Sequence, residues 1–244
     1  MQALAPEHRI QVWDLPTRLF HWTLVALVLV AWVTGEEEGV AALVHRLSGA
    51  GAAGLLAFRV VWGFVGGERA RFSDFAAGPN AIVVHVRDLF SRQPKRHLGH
   101  NPLGGLAVFL LLATIAAVIV TGLFSGGDHA SGPFAGAWGV NLAELHEMLF
   151  RVLQALVIIH VLGVVIESVR SKDALVPAMI TGSKRRRPEE GGADAKAASA
   201  TALILALSVG AAVTLATIAA PPLGARVNVT AEVSGSPQED AEDD

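Results

Sequence analysis

Four of the nine histidines, His21, His45, His146 and His160, are embedded in long apolar runs. An ionisable side chain in such surroundings is costly, so its presence there marks function by default. Two chemistries suit an imidazole in this setting: moving protons, and offering a nitrogen lone pair to a metal. Spacing favours the second. The fourteen residues from His146 to His160 carry an α-helix through nearly four whole turns and advance it by about 21 Å, so both rings leave nearly the same face. That offset suits two flat macrocycles stacked along a bilayer normal, each iron held between an imidazole of this helix and one from another. Cysteine is absent, which excludes disulfides, thiolate-held iron–sulfur clusters and thioether-attached haem. The expectation is two non-covalent b haems, each with bis-His ligation.

Several neighbours suit that chemistry. Arg59 lies fourteen residues after His45, on the same helical face, and its charge in an apolar run calls for an anion such as a haem propionate. Arg18, Arg46 and Arg151 are further propionate candidates. Gly49, one turn from His45, and Gly163, close to one turn from His160, remove bulk where a porphyrin approaches. His100 is a candidate for a site near the start of the third apolar run. His8, His97 and His129 read as solvated loop residues. For any single histidine the plainer alternative is an interfacial or hydrogen-bonding role; the argument rests on the pairs. No residue is expected to be catalytic in the sense of making or breaking bonds of a soluble substrate.

The elements that must position these residues are membrane helices. With 52% hydrophobic and 17% charged residues and a mean hydropathy of +0.48, the chain is too apolar for an ordinary soluble domain. Apolar stretches run from Leu15 to Thr34, Val40 to Val65, Leu103 to Leu123 and Leu142 to Val169, and each can cross a bilayer core. A fifth, Thr201 to Ala220, follows a charged segment. The fold class expected is all-α: an integral membrane four-helix di-haem bundle with an additional C-terminal transmembrane helix. Its divisions are a di-haem domain over 1–182, a flexible linker over 183–199, the fifth helix over 200–220 as an appended anchor, and an acidic, disordered tail over 221–244. A signal peptide is the alternative for the first run, but Glu36, Glu37 and Glu38 make a poor cleavage region. Between the second and third runs, Ala81 to Phe90 suggests a helix along the membrane surface or against the bundle ends, with Ile82, Val83, Val86, Leu89 and Phe90 on one face.

Lys and Arg precede the first run and follow the second and fourth, so by the positive-inside rule these segments and the N-terminus are cytoplasmic. The segments containing Glu36–Glu38 and Asp128–Trp138 carry no Lys or Arg and are read, with the C-terminal tail, as periplasmic. Depth then pairs His45 with His146 on the outer side and His21 with His160 on the inner side. The five tryptophans fall near run ends, where an amphipathic ring prefers to sit.

At these residues the sequence resembles the bacterial cytochrome b561 family and the related b-type cytochrome subunits of nickel–iron hydrogenases and formate dehydrogenases. The matching stretches are WDLPTRLFHW from Trp13, FRVVWGFVG from Phe58, ARFSDF from Ala70, GHNPLGGL from Gly99, ELHEML from Glu144 and PAMITGSK from Pro177. The resemblance implies a four-helix core with two b haems, ligated by histidines of the first, second and fourth helices that match His21, His45, His146 and His160, and electron exchange with membrane quinone. The fifth helix and acidic tail depart from the minimal pattern. The expected function is electron transfer between quinone and a redox partner subunit, hydrogenase-like or cytochrome c-like and periplasmic, in a bacterial inner membrane. The quinone is expected at the cytoplasmic end near His100, Asn101 and Glu167. The partners expected are membrane lipid, quinone and that subunit, and no nucleic acid. A stand-alone superoxide:quinone oxidoreductase and a cofactor-free transporter or assembly anchor remain alternatives.

Overall fold

The computed structural model describes residues 9–92, 94–126, 131–185 and 194–220. Five long apolar helices dominate: α1 (Leu15–Thr34), α2 (Val40–Val65), α5 (Pro102–Leu123), α6 (Ala143–Ser171) and α8 (Ala200–Ala219), with α3 (Phe72–Phe75), α4 (Pro79–Leu89) and α7 (Leu175–Thr181) as shorter pieces. Strands β1 (Arg9–Gln11) and β2 (Ser183–Arg185) pair antiparallel, Arg9 opposite Arg185. All five long helices have the length and composition to span a bilayer, and their bounds follow the apolar runs to within two residues. The protein is a multi-pass membrane helical bundle.

The motifs at the helix starts have local physical reasons. Asp14 caps α1, its carboxylate accepting from the Thr17 amide at 2.8 Å, while Pro16 occupies the first turn, where its missing N–H costs nothing. The other carboxylate oxygen accepts from Trp62 Nε1 at 3.2 Å, which ties α1 to the far end of α2. Asn101 caps α5 in the same way, accepting from the Gly104 amide, with Pro102 next. Its side chain therefore has a capping role.

Packing divides the long helices into α1–α2–α8 and α5–α6, joined by a smaller contact between α2 and α5. The fifth helix is no loosely appended anchor: α8 makes the most extensive helix contact in the structure, on α2. Its Ala206 and Gly210 are buried. A Cβ on Gly54 of α2 would lie 2.6 Å from the Gly210 carbonyl oxygen and 1.8 Å from Thr214 Oγ1, so the close approach depends on that glycine. The ends of the segment expected to be a flexible linker are also tied down. Ser183–Arg185 form β2. The Asp194 carboxylate accepts from the Gln11 amide at 2.8 Å, and the Lys196 carbonyl accepts from the Glu68 amide at 2.9 Å. Residues 186–193 and the acidic tail from 221 lie outside the described residues.

Candidate functional site

The four embedded histidines form two groups at opposite ends of the bundle. At one end His45 of α2 and His146 of α6 face each other, ring centres 6.3 Å apart and planes at 81°. His45 Nδ1 lies 2.8 Å from the Ala31 carbonyl oxygen and His146 Nδ1 lies 2.9 Å from that of Val118. A carbonyl oxygen only accepts, so each Nδ1 carries the hydrogen and each Nε2 keeps its lone pair. Orienting bonds of this kind hold metal-ligating imidazoles in place. Two metal–imidazole bonds of about 2.0 Å, with the distance from nitrogen to ring centre on each side, add to roughly 6 Å, so the separation fits one metal ion between the rings. Gly122 of α5 makes room for His146: a Cβ there would lie 3.0 Å from its Cε1.

At the other end His21 of α1 and His160 of α6 are close enough to interact electrostatically, and His100 and Arg59 lie within the same range of each other. His21 Nδ1 is buried without a hydrogen-bond partner. Arg59 is buried on α2, its guanidinium 4.7 Å from the Phe72 ring centre and 6.0 Å from that of Phe75. Its Nη1 has no hydrogen-bond partner. Phe72 sits close because Gly63 has no side chain; a Cβ there would meet the ring at 2.2 Å. A buried guanidinium with an unsatisfied nitrogen calls for an anion, and a haem propionate supplies one. His100 packs between Trp13 and Phe75, ring centres 4.6 and 4.5 Å away. Burial, followed by the charges of Arg59 and Lys184, pushes its pKa down to about 3, so it is a neutral imidazole at physiological pH.

The remaining expected residues separate. Gly49 and Gly163 face open space, with nothing within 4 Å of a Cβ built on either. The Arg18 guanidinium donates to the Ile180 carbonyl and so fastens α1 to α7. Arg46 is exposed, and Arg151 pairs with Glu147 at 3.2 Å on an exposed face. His8 and His129 lie outside the described residues.

Two further histidines lie inside the protein. His85 belongs to the helix expected along the membrane surface or against the bundle ends; it is 4% exposed, its Nε2 3.6 Å from a carboxylate oxygen of Glu167, itself 7% exposed. His97 was expected in solvent; its ring centre lies 5.1 Å from that of His85, and burial, then His85, lower its pKa. The buried face of α4 is Ile82, His85, Val86 and Leu89, with Val83 and Phe90 exposed. Among the described residues no cluster of three His, Cys, Asp or Glu side chains is arranged to hold a metal ion directly, which leaves the paired imidazoles as the sites to consider.

Residues 12–182 match the family described as Prokaryotic cytochrome b561. The chain belongs to that family. Membership makes it a membrane b-type cytochrome and implies b-type haem and electron transfer, which removes the cofactor-free alternative. The chain is similar to the probable Ni/Fe-hydrogenase B-type cytochrome subunit of Bradyrhizobium diazoefficiens, 25% identical over 220 residues, covering 73% of this chain and 87% of the relative. The corresponding subunit of Azotobacter vinelandii is 28% identical over 211 residues, covering 71% and 87%. The probable Ni/Fe-hydrogenase 1 B-type cytochrome subunit of Escherichia coli is 23% identical over 215 residues, covering 72% and 91%. No solved structure gives a significant match.

Proposed function

We propose that this cytochrome binds two b haems, one between His45 and His146 and one between His21 and His160, and passes electrons between membrane quinone and a redox partner subunit. The observation that carries the reading is the outer pair: two imidazoles 6.3 Å apart, each with Nδ1 turned to a carbonyl. Bound haem supplies one-electron redox chemistry, and two imidazole ligands favour electron transfer over oxygen activation. The protein's part is to fix both tautomers, to hold Arg59 where a propionate carboxylate satisfies it, and to surround both sites with apolar side chains.

The sides follow from charge. The end holding β1, β2, α4 and the Arg-rich segments is read as cytoplasmic, and the His45–His146 end as facing a periplasmic partner of the hydrogenase type. His100, neutral and set between Trp13 and Phe75 with Nδ1 lacking a hydrogen-bond partner, supports a quinone site at the cytoplasmic end. Asn101 and Glu167 are engaged elsewhere.

The test is a reduced-minus-oxidised spectrum of the purified protein with haem counted per chain, followed by reduction through a quinol and through co-purified subunits. Two haems per chain and reduction by quinol are expected. One haem per chain contradicts the proposal, and reduction by superoxide with no partner subunit moves the assignment to the stand-alone oxidoreductase.

A further inference from the structure

Beneath the His21–His160 site lies a buried group of titratable side chains that haem ligation does not use. Glu167 follows His160 by seven residues on α6, nearly two helical turns, so it leaves the same face about 10 Å further along. His85 reaches it from α4, and the two meet at 3.6 Å, an ion-pair distance rather than a hydrogen bond. Neither ring nitrogen of His85 has a hydrogen-bond partner, and neither does Nδ1 of His97. The charged groups facing the cluster are Asp88 on α4, Lys95 on the following loop, and Lys184 on β2. Arg96 and Lys184 are themselves tied to Asp173, at 2.9 and 2.7 Å. Arg170 is held by the carbonyls of Leu89 and Ser91, so α4 is clamped over the cluster.

A half-satisfied polar group is an expensive feature of a membrane protein's core. Packing alone would be served as well by an aliphatic side chain at position 85, between Ile82 and Leu89. The arrangement has what a proton-binding site needs: a base and an acid in ion-pair contact, a second imidazole beside them, and an adjacent site whose charge changes by one unit on electron arrival.

We propose that His85, Glu167 and His97 form a proton-binding site that takes up one proton from the cytoplasmic side when one electron reaches the His21–His160 site. The inference rests on the two-haem reading. The electron comes from the quinol or the partner subunit and the proton from the cytoplasmic solution, so the pair of transfers leaves the net charge of the region unchanged. Electron arrival then carries little electrostatic cost in a low-dielectric environment, and a proton is stored on the side where quinone chemistry releases or consumes one.

The test uses the full-length holoprotein. The α-band is titrated against potential between pH 6 and 8.5, and proton uptake on reduction is followed with a pH indicator. The inner component, identified as the one lost in His160→Ala, is expected to shift by about 59 mV per pH unit over part of this range, the value for one proton per electron. In Glu167→Gln and in His85→Gln that slope should flatten, while haem content and the outer component's potential stay unchanged. A purely structural role would change stability or haem content and leave the slope in place. A pH-independent inner potential in the unmodified protein overturns the proposal without touching the two-haem reading, as does a slope retained in both variants. Absence of an inner haem overturns both.

Discussion

Removing either outer imidazole should remove the same haem. His45 and His146 lie 6.3 Å apart, ring centre to ring centre, close to the roughly 6 Å that two metal–imidazole bonds span, and no other described histidine makes a ring contact with either. In His45→Ala the iron would lose one of two ligands and the remaining imidazole would hold it from one side. We therefore expect His45→Ala and His146→Ala each to contain about one haem per chain instead of two, with loss of the same potentiometric component. The double variant should lose nothing further, because residues that act as one unit are not additive. Combining His45→Ala with His21→Ala should instead empty the protein of haem. The assay is pyridine haemochrome per chain with a redox titration of the α-band, after membrane insertion has been verified by fractionation. Two results would refute the reasoning: components of different midpoint potential lost from His45→Ala and His146→Ala, or a double variant without haem while each single variant keeps one.

Gly122→Ala sets a methyl group 3.0 Å from His146 Cε1, and displaced orienting contacts typically cost about 10-fold or more in metal affinity; weaker retention of the outer haem alone is expected in a haem-transfer assay, and equal weakening of both haems would count against it. Gly54→Ala sets a methyl group 2.6 Å from the Gly210 carbonyl oxygen, well inside the ordinary contact limit of 3.4 Å. It should loosen α8 at a cost of about 1–3 kcal/mol with both haems retained, since nine residues separate Gly54 from His45 and place them on opposite faces of α2; the readout is protease sensitivity of the 194–199 segment beside the visible spectrum. Lys184→Met breaks the buried contact with Asp173 and should destabilise the protein by about 3 kcal/mol, the low end for breaking a buried pair, because Arg96 remains. Burial works to raise the Asp173 pKa, but hydrogen bonds from Arg96 and Lys184 hold it below the ordinary value. A depressed carboxylate stabilises the fold above its unfolded value of about 3.9 and loses that contribution as pH falls through the depressed one. Thermal melts should therefore show the unmodified protein losing this contribution only below about pH 4, and the variant losing what remains of it at higher pH.

The spans were legible because a bilayer imposes a length and a composition that few other structures share, and the shared face of His146 and His160 was legible because a fourteen-residue step is a property of helix geometry alone. What escaped depends on which helix lies against which. His85 shares a face with Ile82, Val86 and Leu89, at positions three, one and three residues apart, and that phase was readable. Its meaning was not, since only the packing of α4 against α6 brings Glu167 to it. Ala206, Gly210 and Thr214 repeat every four residues, a spacing that lets helices approach closely; read for composition alone, the same residues suggest an anchor with no fixed partner. Asn101 was expected near a quinone, and the bond from the Gly104 amide shows that it also caps α5. The carbonyls of Ala31 and Val118, which set the tautomers of His45 and His146, are backbone atoms and leave no mark in the residue types.

The embedded histidines lie where the two packed groups of helices meet. The hydrophobic effect gives helices inside a bilayer no reason to associate, so packing, hydrogen bonds and shared ligands must hold them. α8 closes on α2 through small residues, and α5 packs on α6. α6 has no comparable packing on α1 or α2; it meets them through rings, Trp32 against Phe150 at 6.1 Å and His45 against His146 at 6.3 Å. A flat prosthetic group ligated from both sides, as proposed, would join α6 to α1 and α2 where side-chain packing does not. Haem binding and the final assembly of the helices would then be linked, and the binding free energy would contribute to the stability of the folded protein.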